Sequence, residues 1–293
     1  MSPSASARLK ALLAVILWGG SLPSTKAAVS QASVPAVLWL RFGTAVLVLF
    51  AFLALKKKLR FLSLRETLIF ASLGFIGVFF HNSVQGAALQ SLSAGMSGLI
   101  VAANPIAIAL LGALILAERL NGRKVAGILL AAFGVLVIMS KGSLSFSGRG
   151  FAAGEVFMVL SVFSWGLFSV LSRKALQNRE PALAMGYVLL FGWLYSSVPF
   201  LWTGGYGEIP SIAASGWANI LFLGVFCSAA AYLFWYDALR ELPASEVGVF
   251  LYVNPVVAVT LSVLFLGEPL TPSMIAGGTL VFLGVWFVNR SKG

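Results

Sequence analysis

The sequence predicts an all-α polytopic membrane protein, with ten transmembrane helices arranged as two inverted five-helix repeats and both chain ends in the cytoplasm. Three observations carry that expectation. Hydrophobic residues make up 59% of the 293 and charged residues only 10%, where a soluble domain carries about 25% charged. Apolar runs of roughly the 20 residues that a helix needs to cross a bilayer follow one another with short polar breaks between them. Two passages offset by 150 residues, "VAANPIAIALLGALILAERL" from Val101 and "LYVNPVVAVTLSVLFLGEPL" from Leu251, place Asn-Pro, an apolar run and Glu-x-Leu in one register.

The first span, 9–30, follows Arg8 and Lys10 and carries Trp18, Ser21 and Thr25 as one stripe at helical spacing. Its basic flank and apolar run have the outline of a cleaved leader, but the segment also belongs to the repeat, which cleavage would break. Span two, 35–55, holds Arg41 about two turns in and ends at Lys56-Lys57-Lys58. Span three, 66–88, carries His81, Asn82 and Gln85, with His81 and Gln85 one turn apart on one face. Span four, 94–116, has Asn104-Pro105 near its middle. Proline has no N–H, so the Val101 carbonyl loses its helical partner and the helix is expected to kink. Span five, 122–140, closes the first half.

The second half follows the same order. Span six, 153–175, carries Trp165, Phe168, Ser169 and Ser172. Span seven runs 181–202. Span eight, 216–238, carries Tyr232, Trp235 and Tyr236 at the positions of His81 to Gln85. Span nine, 244–266, repeats the mid-helix Asn254-Pro255 and frees the Leu251 carbonyl. Span ten runs 272–289. The domain reading is therefore 1–145 and 150–293, two repeats of one transport unit.

Further pairs keep the same shift. Gly74 falls on Gly224, Ala94 on Ala244, Gly98 on Gly248, Glu118 on Glu268, Gly127 on Gly277 and Gly134 on Gly284. Nearer the start the shift is 147, so Trp18-Gly19 falls on Trp165-Gly166 and Lys26 on Arg173. Five helices per half is odd, so the second half starts on the opposite side from the first. With the N-terminus inside, sixteen Lys and Arg lie in cytoplasmic stretches and three (Lys26, Lys141, Arg149) on the other side, as the positive-inside rule requires. Inverted repeats with a midplane site between them are a recurring design of secondary transporters.

These residues identify the chain as similar to the drug/metabolite transporter superfamily, EamA branch. The paired Asn-Pro and Glu-x-Leu signatures, Trp18-Gly19 and the Arg early in span two carry the resemblance, which covers essentially the whole chain. It implies a carrier of small organic metabolites in a bacterial inner membrane. Members resembling this chain include amino acid exporters, among them an aromatic amino acid subgroup.

The polar and aromatic residues at membrane depth form the expected site: Trp18, Ser21, Arg41, His81, Asn82, Gln85, Asn104, Trp165, Ser169, Tyr232, Trp235 and Asn254, with Pro105 and Pro255 as gating hinges. Each has a plainer reading as well. The aromatics serve as core, the polar groups as interhelical glue, the prolines as static kinks, and Arg41 as a side chain snorkelling to the interface. Glu118 and Glu268, at helix ends, are expected to anchor loops or cap neighbouring helix N-termini. No carboxylate lies near the centre of a span; Asp237, Glu155 and Glu246 lie near ends. Exchange of protons for cationic drugs, which needs a buried acid, is thereby disfavoured, and His81 is the one histidine available for titration.

Several classes drop out. The net charge of +11 sits in short clusters between apolar runs, which reads as topology and not as nucleic-acid binding. Cys227 is the sole cysteine, so neither an internal disulfide nor a cysteine metal cluster forms, and no cofactor is expected. Small-molecule substrate and lipid bilayer are the expected partners, with the chain a monomer or weak homo-oligomer. Gly95 to Gly98 reads "GMSG", and Ser97 with His81 is the minimum for an intramembrane serine hydrolase. Its repeat mate is Val247, and small residues there suit close helix packing better. A channel and a carrier of phosphorylated or nucleotide-linked sugars are the remaining alternatives.

Overall fold

The computed structural model describes residues 3–117, 121–139, 152–175, 179–242 and 250–290. Its α-helices are α1 (Pro3–Val29), α2 (Val34–Leu55), α3 (Leu64–Leu73), α4 (His81–Ser91), α5 (Ala94–Val101), α6 (Asn104–Leu116), α7 (Gly122–Met139), α8 (Ala153–Ala175), α9 (Pro181–Trp202), α10 (Ala214–Leu221), α11 (Ala231–Glu241), α12 (Val253–Leu266) and α13 (Pro272–Arg290). A π-helical run, Gly74–Phe80, joins α3 to α4, and a second, Phe222–Ala230, joins α10 to α11. Short 3₁₀ turns occupy Gly205–Ser211 and Phe250–Tyr252.

Polar side chains set where helices start. Ser33 accepts from the Ala36 N–H at the head of α2, followed by Pro35 in the first turn. Ser63 and Glu66 close a reciprocal capping box on α3. Glu180 accepts from the Leu183 N–H at the head of α9. Ser93 caps α5 through the Met96 N–H, and the Glu268 carboxylate reaches from the end of α12 to accept from the Ala94 and Gly95 N–H groups at 2.9 and 3.0 Å. Glu268 thus caps a neighbouring helix, as its position suggested; Glu118 and Glu246 lie outside the described residues.

Among the described residues, eight helical stretches are long and apolar enough to cross a membrane, and they coincide with the first eight predicted spans. Val253–Leu266 and Pro272–Phe287 are apolar but shorter. The 14 residues of α12 reach about 21 Å. The start of the predicted ninth span, 244–249, falls outside the described residues.

The structure departs from the sequence expectation in two ways. Spans three and eight are not plain α-helices, because each carries a π-run at its middle. Span four is not a kinked helix but two helices: α5 stops at Val101, Ala102 and Ala103 turn, and α6 starts at Asn104. Pro105 has no N–H to give and its ring crowds the carbonyl one turn back, so it ends one helix and sits in the first turn of the next. In span nine the 3₁₀ turn at Phe250–Tyr252 precedes α12, with Asn254 and Pro255 again in its first turn.

Close helix crossings run over glycines, as they must where lipid removes most of the hydrophobic drive. α7 and α13 pack antiparallel, with Gly127 against Gly284 and Gly134 against Gly277. Gly74 sits against the backbone of Val188 and Gly192 on α9, and Gly224 against Arg41 and Thr44 on α2. Gly19 on α1 faces Val257 and the Asn254 carbonyl, and Gly166 on α8 faces Ala107. At the helix ends, Lys10 pairs with Asp237, Lys58 with Glu180, and Arg60 and Arg179 with Glu66. The Glu66 hydrogen bond raises the Arg60 guanidinium above its ordinary value.

The glycine crossings are testable. A Cβ on Gly134 would lie 2.6 Å from the Gly277 carbonyl oxygen, and one on Gly277 equally close to that of Gly134. Gly134→Ala and Gly277→Ala are each expected to cost about 1–3 kcal/mol, read as a lowered thermal unfolding midpoint in detergent. Gly122→Ala, where a Cβ meets nothing within 4 Å, is the control and should leave the midpoint unchanged.

Candidate functional site

Between the helices lies a cavity, partly open to the outside. α1 supplies Trp18, Ser21 and Leu22, and α2 supplies Arg41. His81, Asn82 and Gln85 enter at the head of α4, directly after the first π-run, and Tyr232 at the head of α11, directly after the second. Asn104 and Asn254 project from the two Asn-Pro breaks, and Trp165 from α8. A second cavity shares Val101, Asn104, Trp165, Leu251 and Asn254 as a common wall and is lined further by Pro105 and Pro255. The breaks therefore separate two adjoining spaces.

A π-turn adds a residue to each turn and changes which face the following helix presents. Side chains of neighbouring helices also donate to carbonyls within the two runs. The Trp18 indole N–H donates to the Cys227 carbonyl at 3.0 Å, and the Ser164 hydroxyl to the Ile76 carbonyl at 2.8 Å. Trp18 is the centre of the aromatic wall. Its ring centroid lies 5.3 Å from Tyr232, 5.3 Å from Trp235 and 6.5 Å from Trp165. The His81 ring lies 5.3 Å from Trp165.

His81 Nδ1 lies 3.0 Å from the Ser161 carbonyl oxygen. A carbonyl only accepts, so Nδ1 carries the proton and Nε2 of the neutral ring is left as an acceptor. Asn82 donates to its own helix at the Val78 carbonyl. Arg41 is buried at 7% exposure. Its Nε donates to Ser228 Oγ at 2.9 Å, and its guanidinium carbon lies 5.1 Å from the Phe42 ring. It turns inward to the cavity and does not snorkel outward. Asn104 Oδ1 and Thr25 Oγ1 are buried with no hydrogen-bond partner among the described residues. Lys26, at the end of α1, donates to the Leu89 and Leu92 carbonyls where α4 ends.

Ten of the twelve residues expected at the site line this one cavity, and the two expected hinges line its neighbour. The other two stand behind the wall. The Ser169 hydroxyl turns back onto the Trp165 carbonyl at 2.7 Å. Trp235 packs behind Trp18 in a small cluster with Ala7, Ala11 and Ala238. Sequence reasoning did not point to Leu22 as lining, to Ser228 as the partner of Arg41, or to the Ser161 carbonyl as the partner of His81. Ser228 lies in a π-run, whose altered facing has no signature in apolar periodicity. Ser97 and His81 do not form a hydrolase pair, since the Ser97 hydroxyl donates to the Ser93 carbonyl and His81 turns to Ser161.

Comparison with known proteins is consistent along the chain. The profile of the EamA-like transporter family matches residues 6–140 and 152–290. An uncharacterized transporter of Archaeoglobus fulgidus is 29% identical over 96% of this chain and 97% of its own length. The uncharacterized transporter YyaM of Bacillus subtilis is 28% identical over 84% of this chain and 81% of its own. A Salmonella typhimurium protein named "Probable amino-acid metabolite efflux pump" is 27% identical over 67% of both chains. A crystal structure superposes with a TM-score of 0.68 over 98% of this chain and 99% of that one, at 21% identity, which establishes the likeness of fold.

Trp18 provides the check on this geometry. Trp18→Phe keeps a ring in place but removes the indole hydrogen bond to the buried Cys227 carbonyl, at an expected cost of about 0.5–1.5 kcal/mol. Trp235→Phe removes no hydrogen bond of this kind and is expected to cost less. Thermal unfolding of the two purified variants compares them directly.

Proposed function

This chain belongs to the EamA-like transporter family, and on that premise we propose that it is a secondary carrier exporting amino acids with aromatic or apolar side chains. It works by alternating access around the central cavity. The observation that carries this reading is that two Asn-Pro breaks, 150 residues apart in sequence, meet at one polar and aromatic cavity.

Paired contacts support the inverted repeat. Shifted by 150, the Gly127–Gly284 contact becomes 277–134, which is the other contact of the same antiparallel pair. Two contacts exchange in this way when a two-fold axis passes between the helices. The π-runs at 74–80 and 222–230 and the Gly19 and Gly166 crossings recur at the same shifts. Repeats of 1–145 and 150–293 agree with the two stretches matched by the family profile. In this reading one half rocks against the other about the shared site, and Pro105 and Pro255 are the flexing points.

The aromatic wall and the Salmonella relative's name favour amino acids. A phosphorylated or nucleotide-linked sugar fits less well, because Arg41 is the one cationic side chain described along the cavity. The relatives favour a bacterial inner membrane. The chain acts as a monomer or weak homo-oligomer.

Proteoliposomes loaded with unlabelled amino acid and supplied with the radiolabelled one test the proposal, with and without a pH gradient. Saturable counterflow of aromatic or apolar amino acids is expected. Counterflow of none overturns the substrate assignment, and non-saturating flux points to a channel. The double variant Pro105→Ala/Pro255→Ala is expected to slow exchange roughly tenfold, equal to about 1.4 kcal/mol in the barrier. Undiminished exchange would end the hinge assignment.

A further inference from the structure

We propose that the central cavity is a receptor for one carboxylate group, held by Arg41, and that its ligands are small organic monoanions or zwitterions with an apolar or aromatic body. The carboxylate is the required element, and an amino group is tolerated but passive. The inference rests on reading this cavity as the transport site.

Three observations lead there. Arg41 is the one charged side chain described along the cavity, buried to 7% exposure, and no described carboxylate pairs with it. Its Nε is committed to Ser228 Oγ at 2.9 Å, which restrains the guanidinium, and among the described residues no hydrogen bond engages the two terminal nitrogens. Those nitrogens form a fork that matches the two oxygens of a carboxylate. A cation held at membrane depth without an anion is costly, so a single negative charge is the complement the cavity lacks.

Charge count narrows the class. A monoanion on Arg41 gives a neutral complex. A dianionic phosphate leaves a net negative charge in low dielectric, with no second cation described along the wall. A simple amine meets Arg41 with no carboxylate to balance it. The Trp18, Trp165 and Tyr232 rings supply faces for an apolar body. No described carboxylate or second cation along the wall engages an amino or hydroxyl group beside the carboxylate, which is why an amino group is tolerated and passive. Ser228 acts as a positioning residue for Arg41.

Three probes that share one body separate these features: 3-phenylpropionate, phenylalanine and phenethylamine. Intrinsic tryptophan fluorescence of the purified protein reads binding, because Trp18 and Trp165 line the cavity. The two carboxylates are expected to bind within about threefold of each other, and the amine roughly tenfold or more weakly. Arg41→Gln should abolish the preference and Arg41→Lys retain most of it. Ser228→Ala should weaken both carboxylates alike without improving the amine. The proposal is overturned if phenethylamine binds as tightly as 3-phenylpropionate, or if neither carboxylate binds up to its solubility limit. These wild-type comparisons stand even where a variant does not fold. Counterflow separates the two readings: a protein that exchanges amines and ignores carboxylates loses this assignment and remains a carrier. One that binds 3-phenylpropionate but exchanges nothing keeps the receptor and loses the carrier.

Discussion

A proline in the middle of a membrane helix leaves a carbonyl that lipid cannot satisfy, and much of this structure is arranged around two of them. Irregular backbone at membrane depth is tolerated only where it is buried in protein or borders a polar space. Pro105 and Pro255 therefore do more than bend their helices. They require that the chain around Val101 and Leu251 face a cavity, and both residues line both of the cavities found there. The same constraint explains Asn104 and Asn254, whose amides stand beside the interrupted ladders. The position of the cavity follows from the position of the breaks.

The framework and the lining obey different rules. Contacts that set helix spacing come in pairs at the sequence shift: Gly127 with Gly277, Gly134 with Gly284, Gly74 with Gly224, Gly19 with Gly166. The two π-runs come as a pair as well. The cavity wall does not. At the shift of 150, His81, Asn82 and Gln85 fall on Ala231, Tyr232 and Trp235, of which only Tyr232 is described along the wall, so three hydrogen-bonding groups stand where one ring answers them. Arg41 has no cationic counterpart described along the wall. On the proposed two-repeat reading, paired packing with unlike linings suits a single asymmetric ligand.

What could be read from the sequence follows from what periodicity encodes. The apolar runs and the paired Asn-Pro motifs located eight long helices, both breaks and ten cavity residues, because lipid demands long apolar stretches and penalises stray polar groups. Glu268 was legible as a capping residue because a carboxylate at a helix end has few other uses. The π-runs were not legible. Gly74–Phe80 reads as an ordinary apolar stretch, and a register change of one residue leaves hydropathy unaltered. That blind spot hid Ser228, which lies within the second run. It also misplaced Trp235, whose facing depends on the turns before it. The full break at Ala102–Ala103 was underestimated as a kink because the two alanines favour helix on their own, and the proline overrides them.

Arg41, the one cation described along the cavity, has a consequence for how the proposed carrier moves. Closing the cavity around an unpaired guanidinium removes it from whatever water the open state admits, and the penalty for a buried ion is several kcal/mol even after relaxation. A bound carboxylate cancels most of that penalty, since the fork and its anion enter low dielectric as a neutral pair. The loaded protein therefore passes through its closed arrangement more readily than the empty one. The electrostatics that select the ligand also make the ligand the lubricant of the conformational change, and they bias the cycle toward exchange over one-way flux. A cavity built from neutral amides and rings alone would carry no such bias, so this coupling belongs to Arg41 and to the absence of a described carboxylate beside it.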